Sequence, residues 1–191
     1  VTGYGATYNP SKNSLKLPQL IALKASADAN LVDVIAKNTN YNNKVNERII
    51  AFSGLKSFST RLVNALQTTD ATAETIGNAK TFNRKMQGKK ASSTQTQTDT
   101  NTPAPSTIST SQQSYDQLIQ HLAGLNSVLE AESSYTPNET DLQVATIQAK
   151  IADLTAKNTA VATAYTNISN SRIARNETLY STDSGLVQTA L

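Results

Sequence analysis

The chain has 191 residues, a formal charge of +3, 38% hydrophobic and 5% aromatic residues, one histidine and no cysteine. The lack of thiols excludes disulfides and thiolate metal sites. So small a positive excess does not by itself mark a nucleic-acid binder, and no apolar run approaches the roughly 18 residues needed to span a bilayer.

Few glycines and prolines, with much of the apolar content in alanine, suit the thin seam of a helical bundle better than a thick core. Asn, Ser and Thr are abundant, and they compete for backbone hydrogen bonds, so packing has to supply most of the helical stability. The composition selects no compartment. No signal-peptide pattern opens the chain, and a start at Val1 suggests processing or excision.

Residues 1–17 read as an N-terminal arm, with Gly3 and Gly5 around Tyr4 and a turn at Asn9-Pro10. A first helix is expected from Pro18, with Leu20, Leu23, Ala27, Leu31, Val34, Tyr41, Val45 and Phe52 on one stripe and Asn38 among them. Ser53-Gly54 marks a break. A second helix is expected from Leu55 through Leu62, Leu66, Thr69, Ala73, Ile76 and Phe82 to Met86. Gly88 stops it, and Arg84, Lys85, Lys89 and Lys90 complement its negative end. Residues 18–90 therefore form a helical hairpin.

Residues 91–109 are almost entirely Ser, Thr, Gln, Asn and Asp with Pro103 and Pro105, the composition of a flexible linker. Residues 110–191 form a second helical segment that packs with the first. A third helix is expected from a Thr110-x-x-Gln113 capping box, carrying Tyr115, Leu118, Leu122, Leu125 and Leu129.

The longest element is expected from Thr136 to Leu179. Thr136 caps it, Pro137 takes the first position and Glu139 completes a capping box. Its seam runs Ile147, Ile151, Leu154, Asn158, Val161, Tyr165, Ile168, Arg172, Arg175, Leu179 in steps of four and three. The expected fold is all-α: an elongated antiparallel bundle of about four long helices.

The chain echoes itself. Tyr8-Asn9-Pro10 followed by Leu15 matches Tyr135-Thr136-Pro137 followed by Leu142 at the same separation. Ala36-Lys37-Asn38-Thr39 recurs as Ala156-Lys157-Asn158-Thr159, one heptad out of step with the first match, and Ser53-Gly54-Leu55 recurs as Ser184-Gly185-Leu186. Two related helix-turn-helix halves are expected, the last helix of the second being cut short or completed beyond Leu191.

Several blocks suggest a relative: Ala6-Thr7-Tyr8-Asn9-Pro10, Arg61-Leu62-Val63-Asn64-Ala65-Leu66, Asn83-Arg84-Lys85-Met86-Gln87-Gly88-Lys89, Ser109-Thr110-Ser111-Gln112-Gln113-Ser114-Tyr115-Asp116 and Ala174-Arg175-Asn176-Glu177-Thr178-Leu179-Tyr180. Together they resemble a family of uncharacterised bacterial helical proteins, in which the segment like Gly185 to Leu191 continues into a basic, aromatic helix. The resemblance implies a shared helical fold and no activity or site residue.

No phosphate loop, hydrolase elbow or metal motif is present. His121 has no metal-ligand or base partner fixed by spacing, and neither Glu130 nor Glu132 makes a Glu-x-x-His pair with it. No catalytic residue, cofactor or metal is expected. Asn38 and Asn158 stand on apolar stripes, where an amide can set helix register, or meets water if it lies at the stripe's edge. Arg48, Arg172 and Arg175 suit snorkelling or local pairing better than an anion site. Arg84, Lys85, Lys89 and Lys90 form a possible basic contact patch that also fits helix-end compensation.

The expected function is a non-catalytic structural or interaction module that presents a long helical face to a protein partner or to itself. A membrane-active helical protein is the alternative, and weak nucleic-acid binding through residues 84–90 a second one.

Overall fold

The computed structural model describes residues 2–88 and 112–190. Among them every regular element is helical, with no strand. The α-helices are α1 (Leu17–Phe52), α2 (Leu55–Leu66), α3 (Ala73–Gln87), α4 (Tyr115–Ala131), α5 (Val144–Tyr180) and the short α6 (Leu186–Ala190). 3-10 segments lie at Thr2–Thr7, which is kinked at Gly5 (φ +52°), at Asn13–Leu15 and at Thr140–Leu142.

Local chemistry sets most boundaries. The α1 helix ends where Ser53 donates its N–H to the Ile49 carbonyl at 3.0 Å and its hydroxyl to the Ile50 carbonyl at 2.7 Å. Gly54 then takes φ +69°, a left-handed conformation that glycine adopts without steric cost, and turns the chain into α2. Gly88 does the same after α3 at φ +75°, its N–H reaching the carbonyls of Arg84 and Lys85.

Three expectations need correction. The second helix is two helices: α2 stops at Leu66 and α3 starts at Ala73. Thr68 and Thr69 turn their hydroxyls back onto the Ala65 and Leu66 carbonyls at 2.7 Å each, and Thr72 caps α3 by accepting the Thr75 N–H. The α4 helix starts at Tyr115, capped by Ser114 accepting from the Gln117 N–H at 3.2 Å, while Thr110 and the expected linker 91–109 lie outside the described residues. The α5 helix starts at Val144 and not at Thr136, because Tyr135 holds residues 135–142 in a turn.

That turn has a twin. The Tyr135 phenol donates to the Leu142 carbonyl at 2.8 Å, and the Tyr8 phenol donates to the Leu15 carbonyl at 2.5 Å. Each leucine ends a three-residue 3-10 turn and is followed two residues later by the long helix. The flanking dihedrals agree within a few degrees: Lys12 (−75°, 121°) beside Glu139 (−71°, 117°), and Lys16 (−65°, 146°) beside Gln143 (−68°, 144°). Leu20, Ala27, Val34 and Tyr41 of α1 are buried or half-buried, as are Ile147, Leu154, Val161 and Ile168 of α5, each 127 positions later.

The chain forms two compact units, one of Val1–Glu47 with Thr159–Leu191 and one of Arg48–Asn158. In the second unit Leu62, Leu66, Met86, Leu122, Leu125, Leu129, Ile147 and Leu154 are at most 1% exposed. Each such side chain contributes about 1.5–3 kcal/mol by leaving water, so this core carries the unit. The α3 and α4 helices approach closely because Gly124 faces Phe82: a Cβ there would lie 2.3 Å from the ring.

The first unit pairs α1 with α5 antiparallel. Asn30 donates to the Thr178 hydroxyl at 2.7 Å, and the Tyr41 and Tyr165 rings meet at 6.0 Å. Its buried seam is thin and small-sided: Ala27, Val161, Ala164, Ile168 and Ser171. Here the expected stripe slips by one residue. Tyr165 is 58% exposed and Arg172 is exposed, while Ala164 and Ser171 take the inward places. The small Ala164 and Ser171 flank Val161 and Ile168 at the same spacings of three and four residues, on the other side of the stripe.

Candidate interaction surfaces

The residues expected to matter fall in different places. Asn38 is exposed on α1 in the first unit. Asn158 is half-buried in the second unit and bonded on both sides of its amide. Its Oδ1 accepts from Arg48 Nη1 at 3.0 Å and its Nδ2 donates to Asp116 Oδ1 at 2.7 Å. The Arg48 guanidinium also stacks 4.0 Å from the centre of the Tyr115 ring, which meets Phe52 edge-on at 4.7 Å. Sequence reasoning placed Arg48 and Asn158 on seams separately; the structure ties them together across α1, α4 and α5. Arg172 is exposed, and Arg175 turns to the neighbouring Asn176 at 2.8 Å.

Arg84 and Lys85 are exposed in the last turn of α3. The ammonium of Lys85 lies 5.8 Å from the Phe82 ring centre, and its carbonyl accepts from Gln113 Nε2 at 2.7 Å. Lys89 and Lys90 lie outside the described residues.

His121 is 6% exposed in the contact between α3 and α4, and its Nε2 is buried. Burial first, and the positive charge of Lys85 second, hold its pKa below the ordinary value. A neutral imidazole in that place packs as part of the core. No group of three or more His, Cys, Asp or Glu among the described residues is arranged to hold a metal ion.

A groove of about 620 Å³ lies in the second unit, where α2 faces the 134–142 turn. Arg61, Asn64, Asp70, Ser134, Asn138 and Glu139 contribute polar groups to it. Four of its hydroxyls are committed to local structure: Thr68 and Thr69 to their own helix end, Ser134 to the Glu132 carboxylate at 2.7 Å, and Tyr135 to Leu142. Its single cation, Arg61, is paired with Asp141 at 2.6 Å, and Asp141 leads the causes that raise the Arg61 pKa. The Arg61–Asp141 pair fastens the turn to α2.

A different kind of surface lies on α1. Within the first unit Leu17, Ile21, Val32 and Ile35 are all exposed, most of them by more than half. They lie within one helical sector of about 60°, away from the sector that holds Leu20, Ala27 and Val34. An ordered helix that offers large aliphatic side chains to water along one line is the most informative surface in the chain, because scattered apolar residues are ordinary and aligned ones are not. No helix is long and apolar enough to cross a membrane among the described residues.

Comparison with protein-family models, with curated proteins and with solved structures finds no match to this chain. The functional reading therefore rests on these surfaces alone.

Proposed function

We propose that the chain is a non-catalytic helical scaffold whose outward α1 face docks a protein partner. The carrying observation is the exposure of Leu17, Ile21, Leu31 and Ile35 along one side of a helix whose other side is already packed. Burying a fully exposed side chain of this size gives about 1.5–3 kcal/mol, so a partner helix laid on this face has a sufficient driving force. The polar groove at Arg61 supports the non-catalytic part, since its cation and the hydroxyls of Thr68, Thr69, Ser134 and Tyr135 are engaged by the fold.

The scaffold is read as two copies of one unit, each running from a tyrosine-closed turn through a long helix to a Ser-Gly-Leu break. The paired Tyr8–Leu15 and Tyr135–Leu142 bonds and the 127-residue repeat of the inward face support that reading. In the first copy the break is followed by two short helices, α2 and α3, which fold back on one another through Ser59 to Asn83 at 2.8 Å and Gln87 to the Lys56 carbonyl at 2.7 Å.

A photoreactive amino acid at position 35, irradiated in the native cell, tests the interaction reading. A discrete protein adduct, to another protein or to the chain itself, is expected at 35 and not at exposed Lys80 on α3. The absence of any adduct at 35 would overturn it. So would turnover of a small substrate by the purified chain that vanishes on Asp70→Asn or Glu139→Gln.

A further inference from the structure

The α1 helix carries a second seam besides the one that packs into its own unit. Leu17, Ile21, Lys24, Asp28, Leu31 and Ile35 follow one another in steps of four, three, four, three and four. That is the alternating spacing of the two core positions of a coiled coil. All six are exposed: the four aliphatic residues by 36, 59, 43 and 67% in chain order, and Lys24 and Asp28 paired with each other at 2.6 Å in solvent. The seam covers roughly 27 Å of helix at about 1.5 Å per residue.

We propose that this seam pairs antiparallel with the same seam of a second copy of the chain, α1 against α1. The proposal rests on the interaction reading above and names the partner. The argument is that the seam is its own complement when reversed.

In an antiparallel pair each layer joins one core position to the other kind on the facing helix. With the helices centred on residue 26, Leu17 meets Ile35 of the second copy, Ile21 meets Leu31, and Lys24 meets Asp28. Each layer occurs twice, as a two-fold axis requires. The outer layers are aliphatic on aliphatic, and the middle layers join opposite charges.

The same two charges reject the other arrangements. A parallel pair in register sets Lys24 on Lys24 and Asp28 on Asp28. An antiparallel pair displaced by one heptad sets Lys24 on Ile35 and Asp28 on Leu31, or Lys24 on Ile21 and Asp28 on Leu17. Each of these desolvates a charge without a partner, so one register is selected. The Lys24–Asp28 pair within one helix would by itself be an ordinary solvated contact. Its place at the centre of a reversible aliphatic seam is what gives it a second use.

The second unit shows what this face does when a helix lies on it. Ile21 and Leu31 correspond, 127 positions on, to Gln148 and Asn158 of α5. Both α5 residues bond to α4, Gln148 to Glu130 at 3.4 Å and Asn158 to Asp116 at 2.7 Å. On α5 the face is polar at these points, Gln148 being exposed and Asn158 half-buried. On α1 it is aliphatic at the same points and exposed.

Sedimentation of the full-length chain, at concentrations up to about 0.5 mM because so short a seam belongs with small transient interfaces, tests the proposal. The mass is expected to rise from 20.4 kDa toward twice that value. Lys24→Glu alone and Asp28→Lys alone each place like charges in the middle layers, and each variant is expected to sediment as a monomer. An equimolar mixture of the two is expected to associate again, because the glutamate introduced at 24 faces the lysine introduced at 28 and the remaining Asp28 faces the remaining Lys24. Circular dichroism of each variant reports whether the helices remain formed; the positions are exposed, so they should.

A chain that stays at 20.4 kDa throughout overturns the proposal, as does a dimer indifferent to both reversals or a mixture that fails to associate. Binding of the monomeric chain to phosphatidylcholine–phosphatidylserine vesicles, lost on Ile21→Ser, overturns it in favour of a lipid surface. A monomeric chain that still gives a discrete heterologous adduct at position 35 overturns the self-pairing alone. The loss of every adduct overturns the interaction reading with it.

Discussion

Tyr135 donates its phenol hydrogen to the Leu142 carbonyl at 2.8 Å, with Tyr135 6% and Leu142 3% exposed. Burial, then the charges of Glu139 and Asp141, push the phenol pKa up to about 12, so it remains a donor across the ordinary pH range. Tyr135→Phe removes the donor and leaves a buried carbonyl without it. A loss of about 1–3 kcal/mol is expected, the usual penalty for such a group. Tyr8→Phe breaks the matching bond at a half-buried site where water can replace the phenol, and about 1 kcal/mol or less is expected. Urea unfolding of the two variants checks the order, and an equal or reversed pair of losses contradicts it.

Gly77 and Gly124 both interrupt helical stretches, and their surroundings predict opposite responses to the same substitution. A Cβ at Gly77 meets nothing within 4 Å, so Gly77→Ala gains helix propensity without a clash. It should stabilise the chain by about 0.5–1 kcal/mol. A Cβ at Gly124 would lie 2.3 to 2.9 Å from three atoms of the Phe82 ring. Gly124→Ala should therefore cost about 1–3 kcal/mol as α3 and α4 are forced apart. If Phe82→Leu removes most of that cost in the double variant, the ring is confirmed as its source.

These particulars show what a sequence can and cannot disclose. The break at Ser53-Gly54 and the stop at Gly88 were legible, because a left-handed glycine leaves a local sign. The gap between α2 and α3 was not, because the apolar spacing continues across it from Leu66 to Ile76 while two threonine hydroxyls end the helix. The start of α5 was misplaced for a related reason. Thr136, Pro137 and Glu139 compose a valid cap, but the Tyr135 bond that defeats it depends on burial against the rest of the unit. The exchange of Tyr165 for Ala164 was not legible, because both stand three or four residues from Val161 and Ile168 and spacing alone does not choose between them. On α1, Leu31 was assigned to the inward stripe, and this hid a second 4-3 series through Ile21 and Ile35. The tie between Arg48 and Asn158 joins residues 110 apart, and no local pattern reports it.

His121 makes the contact between α3 and α4 sensitive to acid. Its folded-state pKa lies below the unfolded value of about 6.5. The unfolded chain therefore takes up the proton first as pH falls. Stability is fully present above about 6.5 and declines as pH drops from there toward the folded-state value. His121→Leu should flatten the stability profile below about pH 6.5. Lys85→Gln should flatten it in part, since the lysine is the lesser of the two causes. Thermal melts across that range test both, and a His121→Leu profile identical in shape to that of the natural chain would show that the histidine does not set it.

The guanidinium of Arg48 and the amide of Asn158 act as one unit. Asn158 accepts from Arg48 and donates to Asp116, so a single orientation of its amide serves both neighbours. Arg48 in turn needs its planar group to lie on Tyr115. Arg48→Lys keeps the charge but gives up the flat stack and the fixed direction of the N–H toward Asn158. It should lose about 0.5–2 kcal/mol, the range of a partly desolvated cation–π contact. The sharper measurement is a double-mutant cycle of Arg48→Met and Asn158→Ala. Groups sharing a hydrogen-bond network couple by about 0.5–3 kcal/mol, whereas independent ones add within about 0.3–0.5. Coupling in the upper part of that range is expected, because either substitution alone strands a half-buried polar partner and the second then costs little more. Simple additivity would mean that water satisfies each group equally well and that the contact joining α1, α4 and α5 contributes nothing as a pair.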